Sequence, residues 1–333
     1  MRTYIIKRLL LLIPTLIIVT MLIFLLIRLV PGDIIDAMVA AERTQDPMSP
    51  AQIREFREAM EKRLGLDVPI YHQYARWIGV VPQPDGNYGG IFQGTLGVSW
   101  QKRVSVVELI SIKWPVTLQL GLMGIIVSQL IALPIGIYSA MRQDKWGDYV
   151  GRSIAILGIS LPGFWVATMV IVYPSIWWNY MPPIMLIRFT DDPIGNLKMF
   201  IVPAIVLGMG MSGISMRMTR TMMLEVLRQD YIRTAWAKGL RERVVVIRHA
   251  LKNAAIPVIT LIGLQVPVLI GGTVIIEQIF CLPGMGRLII GALLGRDKLL
   301  LCGVVLIFAA LLVLVNLLVD LTYGFLDPRV HYG

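Results

Sequence analysis

Six stretches of this chain run between ionised side chains with no charge inside them, and their lengths are those of membrane spans. They are Leu9 to Ile27, Trp114 to Met141, Ser153 to Ile187, Met199 to Met216, Asn253 to Ile276 and Leu299 to Val319. A helix needs about 20 mostly apolar residues to cross ~30 Å of hydrocarbon. Met199 to Met216 sits near the lower limit, and in Ser153 to Ile187 the first two thirds suffice. Hydrophobic residues make up 56% of the 333, and charged residues only 16%. A soluble domain typically carries about 25% charged residues, so a water-covered globule of this size lacks the polar surface it needs. Disordered chains are poor in apolar residues, which excludes that class as well.

The expected fold is therefore an all-α integral membrane protein with six transmembrane helices. Pro14, Pro134, Pro162, Pro203 and Pro257 fall in or beside the spans, where neighbouring helices can satisfy the freed carbonyls. The first apolar run is longer than the 7–15 residues typical of a signal peptide, and it is read as a retained span. Orientation follows the distribution of Lys and Arg in short loops. With the N-terminus inside, the inner segments hold sixteen basic residues against five in the two short outer ones. Both termini are thus expected in the cytoplasm. The net charge of +10 is largely a matter of topology and does not require nucleic acid. Two cysteines (Cys281, Cys302) and three scattered histidines give no basis for a disulfide framework or a metal site.

The chain is expected to divide into a first transmembrane helix (1–30), an outer segment (31–113), and a five-helix core (114–333) that carries a cytoplasmic loop (217–252). In the outer segment, Ser49-Pro50-Ala51-Gln52 reads as a helix start with a capping box and proline at the first helical position. That helix should run to about Leu64 and end near Gly65. A turn-rich stretch, Pro82 to Gly90, follows.

The inner loop from Arg217 to Lys252 carries nine basic residues against Glu225, Asp230 and Glu242. Asp230 is a candidate N-cap, and Tyr231, Ala235 and Gly239 recur at the spacing of one helix face. Gly239 suits a left-handed helix end. Two readings are open on spacing alone. One is a short helix that docks into a groove on a cytoplasmic partner; the other is a basic loop resting at anionic headgroups.

This loop resembles the cytoplasmic loop of permease subunits of binding-protein-dependent ABC importers, in the form seen in the dipeptide, oligopeptide and nickel branch. Other blocks match in chain order: Lys7-Arg8-Leu9-Leu10, Ile13-Pro14-Thr15, Leu29-Val30-Pro31-Gly32-Asp33, Leu64 to Tyr71, and Leu96-Gly97-Val98-Ser99. Further along come Arg248 to Ala254, Glu277 to Phe280, Leu282 to Arg287, and Leu326 to Val330. The resemblance implies a subunit forming half of a translocation pathway for di- or oligopeptides. Its partners would be a second, different permease, two ATP-binding subunits, an extracytoplasmic substrate-binding protein and membrane lipid. It implies that Asp230, Tyr231, Arg233, Thr234, Ala235, Trp236, Lys238 and Gly239 couple to the ATPases. The chain has no Gly-x-x-x-x-Gly-Lys-Ser/Thr run. No catalytic residue and no bound cofactor are therefore expected here, and ATP and Mg are assigned to the partners.

The chain departs from the wider family in two places. Arg233-Thr234-Ala235 stands where many importers have Glu-Ala-Ala, and Pro84 to Gln93 has no family counterpart. Gln265, Met209 and Glu277 are candidates for the pathway, against ordinary helix packing for the methionine and hydrogen bonding or pairing for the other two. Gly208, Gly210 and Gly213 are read as permitting close helix approach. Two rival classes remain. A secondary transporter or channel would be expected to carry a buried acidic relay or a filter motif, and an intramembrane enzyme would need an obvious polar constellation in its spans. Neither feature is evident.

Overall fold

In a computed structural model the described residues are 2–29, 34–45, 48–179, 183 and 185–326. The blocks at Val30 to Asp33 and Asp327 to Val330, and the side chains of Lys7 and Arg8, lie outside them. Thirteen α-helices are present among the described residues: α1 (Arg2–Leu29), α2 (Ile34–Gln45), α3 (Pro50–Leu64), α4 (Ile70–Ile78), α5 (Val106–Met141), α6 (Trp146–Ser160), α7 (Gly163–Trp178), α8 (Pro193–Leu227), α9 (Asp230–Ala237), α10 (Glu242–Val244), α11 (Leu251–Ile279), α12 (Met285–Leu294) and α13 (Lys298–Leu326). Five of them are long and apolar enough to cross a membrane, and six spans result if the bent pair α6–α7 counts as one. The all-α membrane architecture expected from the apolar runs is thereby borne out.

The spans differ from the charge-free intervals in detail. The third interval is not one rod: α6 and α7 meet at 92°, because Pro162 supplies no N–H and disfavours helical geometry in Leu161 before it. The fourth is extended to 35 residues. Asp192 caps its start by accepting from the Gly195 N–H at 2.9 Å, with Pro193 in the first turn. At its other end α8 continues through Arg217 to Leu227, so the first third of the expected inner loop is helix. The fifth span is entered through a π-helical turn, Val245–Ala250.

By contacts the chain forms two compact units. The first contains Val116–Gly286 with both chain ends; the second contains Leu9–Pro115 and Arg287–Leu311. In the second unit, α3 begins as its sequence dictates. Ser49 and Gln52 exchange both capping-box hydrogen bonds, and Gly65 closes the helix at φ 65°. Phe24, Tyr74 and Trp77 form a ring cluster with centroids 5.5–6.3 Å apart. Thr20 hydrogen-bonds the Tyr74 hydroxyl at 2.9 Å. Arg28, at the end of the first apolar run, donates to Gln73 and lies over the Phe24 ring.

The core of the first unit is made by α5, α7, α8 and α11. Leu120, Ala167, Phe200, Ala204 and Leu207 are buried there with Leu269 and Ile276. Close approach depends on glycine: a Cβ on Gly208 would meet the Gly124 carbonyl oxygen at 2.7 Å, and one on Gly213 would meet the Ala155 carbonyl oxygen at 2.5 Å. Gly210 faces open space, so the packing role read for all three glycines holds for two of them.

Candidate functional site

The short helix expected near 230–239 is α9, although its start differs from the reading above. Gln229 holds the N-cap position, without a side-chain cap, and Asp230 is the first helical residue. A carboxylate there is favoured by the helix dipole. Asp230 also lies 3.5 Å from Arg233, but both are exposed, so this pair adds little. The helix stops at Ala237, and Gly239 follows at φ 70° with open space around it. A left-handed residue beyond the helix cannot continue its face, so Gly239 does not line up with Tyr231 and Ala235.

The inward side of α9 is set by Ile232 and Ala235, which are 0% and 7% exposed. They are buried with Ala140 of α5, Met223 of α8, Val245 and Val246 of the π turn, and Ala254 of α11. Burying an isoleucine stabilises by roughly 1.5–3 kcal/mol. Ala235 is therefore part of the seat of the helix and not of its free surface. Tyr231, Arg233, Thr234, Trp236 and Lys238 are exposed on the other sides. Tyr231 is also tethered, since its hydroxyl accepts from Asn253 Nδ2 at 2.7 Å. Beside α9, an open cleft is lined by Arg220, Thr221, Leu224, Glu225, Arg228 and Gln229.

One polar cluster beneath this region escaped the sequence reading. Asp148, at the start of α6, is fully buried. It accepts from Arg220 Nε at 2.8 Å and Nη2 at 2.7 Å, from the Asp144 N–H at 3.0 Å, and from Ser139. Arg152 lies 3.1 Å away. A buried charge needs such pairing and hydrogen bonding, and the cluster ties α5, α6 and α8 together at the ends nearest α9. The only trace in the sequence was a pair of acids, Asp144 and Asp148, among the basic residues of 142–152.

The three pathway candidates fall in different environments. Gln265 is 5% exposed and donates to the Ser215 hydroxyl at 3.1 Å and the Met211 carbonyl at 3.2 Å, so it fastens α11 to α8. Glu277 is fully buried. It accepts from the Thr117 hydroxyl at 2.5 Å and the Gly286 N–H at 2.7 Å, while Thr117 accepts from the Met285 N–H at 2.7 Å. The carboxylate thus organises the turn Leu282-Pro283-Gly284-Met285-Gly286. Met209 is 41% exposed on α8. Among the described residues no group of three or more His, Cys, Asp or Glu could hold a metal ion.

Comparison with known proteins gives this architecture a family. The model for the binding-protein-dependent transport system inner membrane component matches residues 132–332, and its N-terminal companion matches 1–121. A Brucella suis protein provisionally named a peptide transport system permease protein is 38% identical over 332 residues, covering 100% of both chains. The dipeptide transport system permease protein DppB of Escherichia coli K12 is 38% identical over 355 aligned positions, with 100% of this chain and 99% of DppB covered. The glutathione transport system permease protein GsiC of Escherichia coli O6:H1 is 34% identical over 332 residues, again across both chains. The chain belongs to the family of binding-protein-dependent transport system inner membrane components, as its motifs suggested. It is a multi-pass inner-membrane permease component.

Proposed function

We propose that the chain forms half of the translocation pathway of an ATP-driven importer of di- or oligopeptides. Substrate arrives on an extracytoplasmic binding protein, and a second permease of different sequence completes the pathway. Two ATP-binding subunits grip α9 from the cytoplasm and carry the nucleotide and Mg. The chain itself performs no bond chemistry; its task is to convert movement of the ATPases into movement of its spans.

The observation that supports this reading is the arrangement of α9. Its inner side is fixed by Ile232 and Ala235 to the ends of α5, α8 and α11, while Tyr231, Arg233, Thr234, Trp236 and Lys238 remain free of the chain's own core. A short helix so anchored transmits a push on its outer face to three spans at once. Arg233 sits where related importers often carry an acid, so the groove that receives it should differ in charge from theirs. Full-length similarity to proteins named as peptide permeases supports peptides as the substrate class.

The test is purification of the complex from membranes with the chain tagged, followed by reconstitution with the binding protein. ATP-binding subunits should co-purify, and labelled dipeptide should accumulate only with ATP. In Gly239→Trp the protein should remain in the membrane while uptake is lost. A carrier or channel would transport without any nucleotide-binding subunit, and that result would overturn the proposal.

A further inference from the structure

The elbow between α6 and α7 sits far from the charged ends of the neighbouring span α8. Its depth can be read from α8, along which α6 runs antiparallel. Asp148 pairs with Arg220. A Cβ on Gly151 would lie 3.3 Å from the Met216 side chain, one on Gly213 meets the Ala155 carbonyl oxygen, and one on Gly158 would lie 3.3 Å from the Met209 carbonyl oxygen. Each turn up α6 thus matches one turn down α8. Beyond the elbow, Val166 and Ala167 of α7 join the cluster that holds Ala204 and Leu207. The elbow is therefore level with α8 between about Ala204 and Met209, midway along the charge-free interval between Lys198 and Arg217.

At that depth the elbow is bare. Ser160, Leu161, Pro162, Gly163, Phe164 and Trp165 are all exposed on this chain. The last α6 bond is from the Leu161 N–H to Leu157 O at 3.1 Å, and the first α7 bonds run from Trp165 and Val166 to Pro162 O. Among the described residues, the Gly163 and Phe164 N–H groups between them have no partner, and Pro162 caps α7 without a side-chain bond. A Cβ at Gly163 would touch nothing. Irregular backbone facing lipid at this depth does not occur; it is tolerated where it lines a water-filled cavity or is covered by protein. Leu161, Phe164 and Trp165 could pack against a neighbouring helix, but apolar cover would bury the Gly163 and Phe164 N–H groups without partners, which is costly, whereas water satisfies them.

We propose that Ser160 to Phe164 forms part of the wall of the water-filled substrate pathway, with the elbow's free backbone groups hydrated there. Met209, level with Gly158 one turn before the elbow, belongs to the same wall. The inference rests on the translocation function proposed above and adds the place where this chain meets water and passing substrate. It also gives the break a purpose: a hydrated mid-membrane surface that a straight helix, with its backbone bonds closed, would not provide.

The test uses single cysteines at Ser160→Cys and Gly163→Cys, in a background carrying Cys281→Ser and Cys302→Ala, in the assembled complex in membranes. The probe is a positively charged, membrane-impermeant methanethiosulfonate. Leu130→Cys, on an exposed side of α5 near the level of Gly208, is the lipid-depth control. Only the thiolate reacts, and it forms in water, so both elbow thiols should react roughly ten-fold or more faster than the control. Rates no faster than the control at both positions would overturn the inference, including the case where the elbow is sealed by the partner permease. If Gly163→Cys does not accumulate, the Ser160→Cys rate decides. Uptake of labelled dipeptide by the parent complex is measured separately. Failure there falls on the proposed function, whereas slow labelling in complexes that still import falls on the elbow alone.

Discussion

At the scale of single residues, two positions carry sharp consequences. Gly239 sits at φ 70° in open space, so a side chain there meets no steric wall and the cost is conformational. Gly239→Ala should lose about 1–2 kcal/mol of local stability, the usual penalty for an L-residue in left-handed geometry. The membrane level of the protein should stay normal while ATPase stimulation by loaded binding protein falls, and the bulk of Gly239→Trp should deepen that defect. Glu277 is the opposite case, fully enclosed. A Cβ on Gly284 would come within 2.4 Å of the Glu277 carboxyl, so Gly284→Ala must displace the carboxylate that Thr117 and Gly286 hold. Its melting temperature in detergent should drop markedly more than that of Gly291→Ala, where a Cβ meets nothing.

Among the elements, α9 and the Asp148 cluster divide the work of holding together the neighbouring ends of α5, α6, α8 and α11. Ile232→Ala removes a fully buried side chain from the seat of α9 and should cost about 2–5 kcal/mol. Because α9 lies at the surface, the loss should appear as local loosening, read as faster amide hydrogen exchange over 230–237 and weaker retention of ATP-binding subunits. Asp148→Asn leaves Arg220 half-paired, and removing one partner of a buried ion pair typically costs roughly 3–5 kcal/mol. The double change Asp148→Leu with Arg220→Met should recover much of that loss, since a well-packed apolar replacement is often neutral. A double change as unstable as Asp148→Asn would show that the cluster acts through shape and not through charge pairing.

The legibility of these elements varied with the range of the forces behind them. The capping box of α3 and the left-handed Gly239 were readable because they depend on residues within a turn of one another. The inner side of α9 was not: helix spacing pointed to Tyr231, Ala235 and Gly239, whereas burial is decided by the ends of α5, α8 and α11, distant in sequence. The Asp148–Arg220 pair joins positions 72 residues apart, and nothing local announces it. The 92° elbow had a local sign in Leu161-Pro162-Gly163. Proline is so often tolerated within spans, however, that this sign did not distinguish a kink from a break.

For the molecule as a whole, the apolar runs fixed the membrane class, and the basic residues make a separate statement about sidedness. The cluster from Arg217 to Lys252 lies on the last turns of α8, on α9 and on the approach to α11, all in one compact unit with the 142–152 segment. Short loops rich in Lys and Arg stay in the cytoplasm. The outer segment, in which acids and bases nearly balance, can cross despite its length. Alkaline phosphatase, which folds only outside the cytoplasm, should be active when fused after Gly86 and inactive when fused after Lys145 or Lys238. A fluorescent protein that matures only inside should give the reverse pattern. If fusions after Gly86 and Lys238 were active together, α9 would face away from any ATP-binding subunit. The coupling role would then fall, although the helical fold and its membrane class would stand.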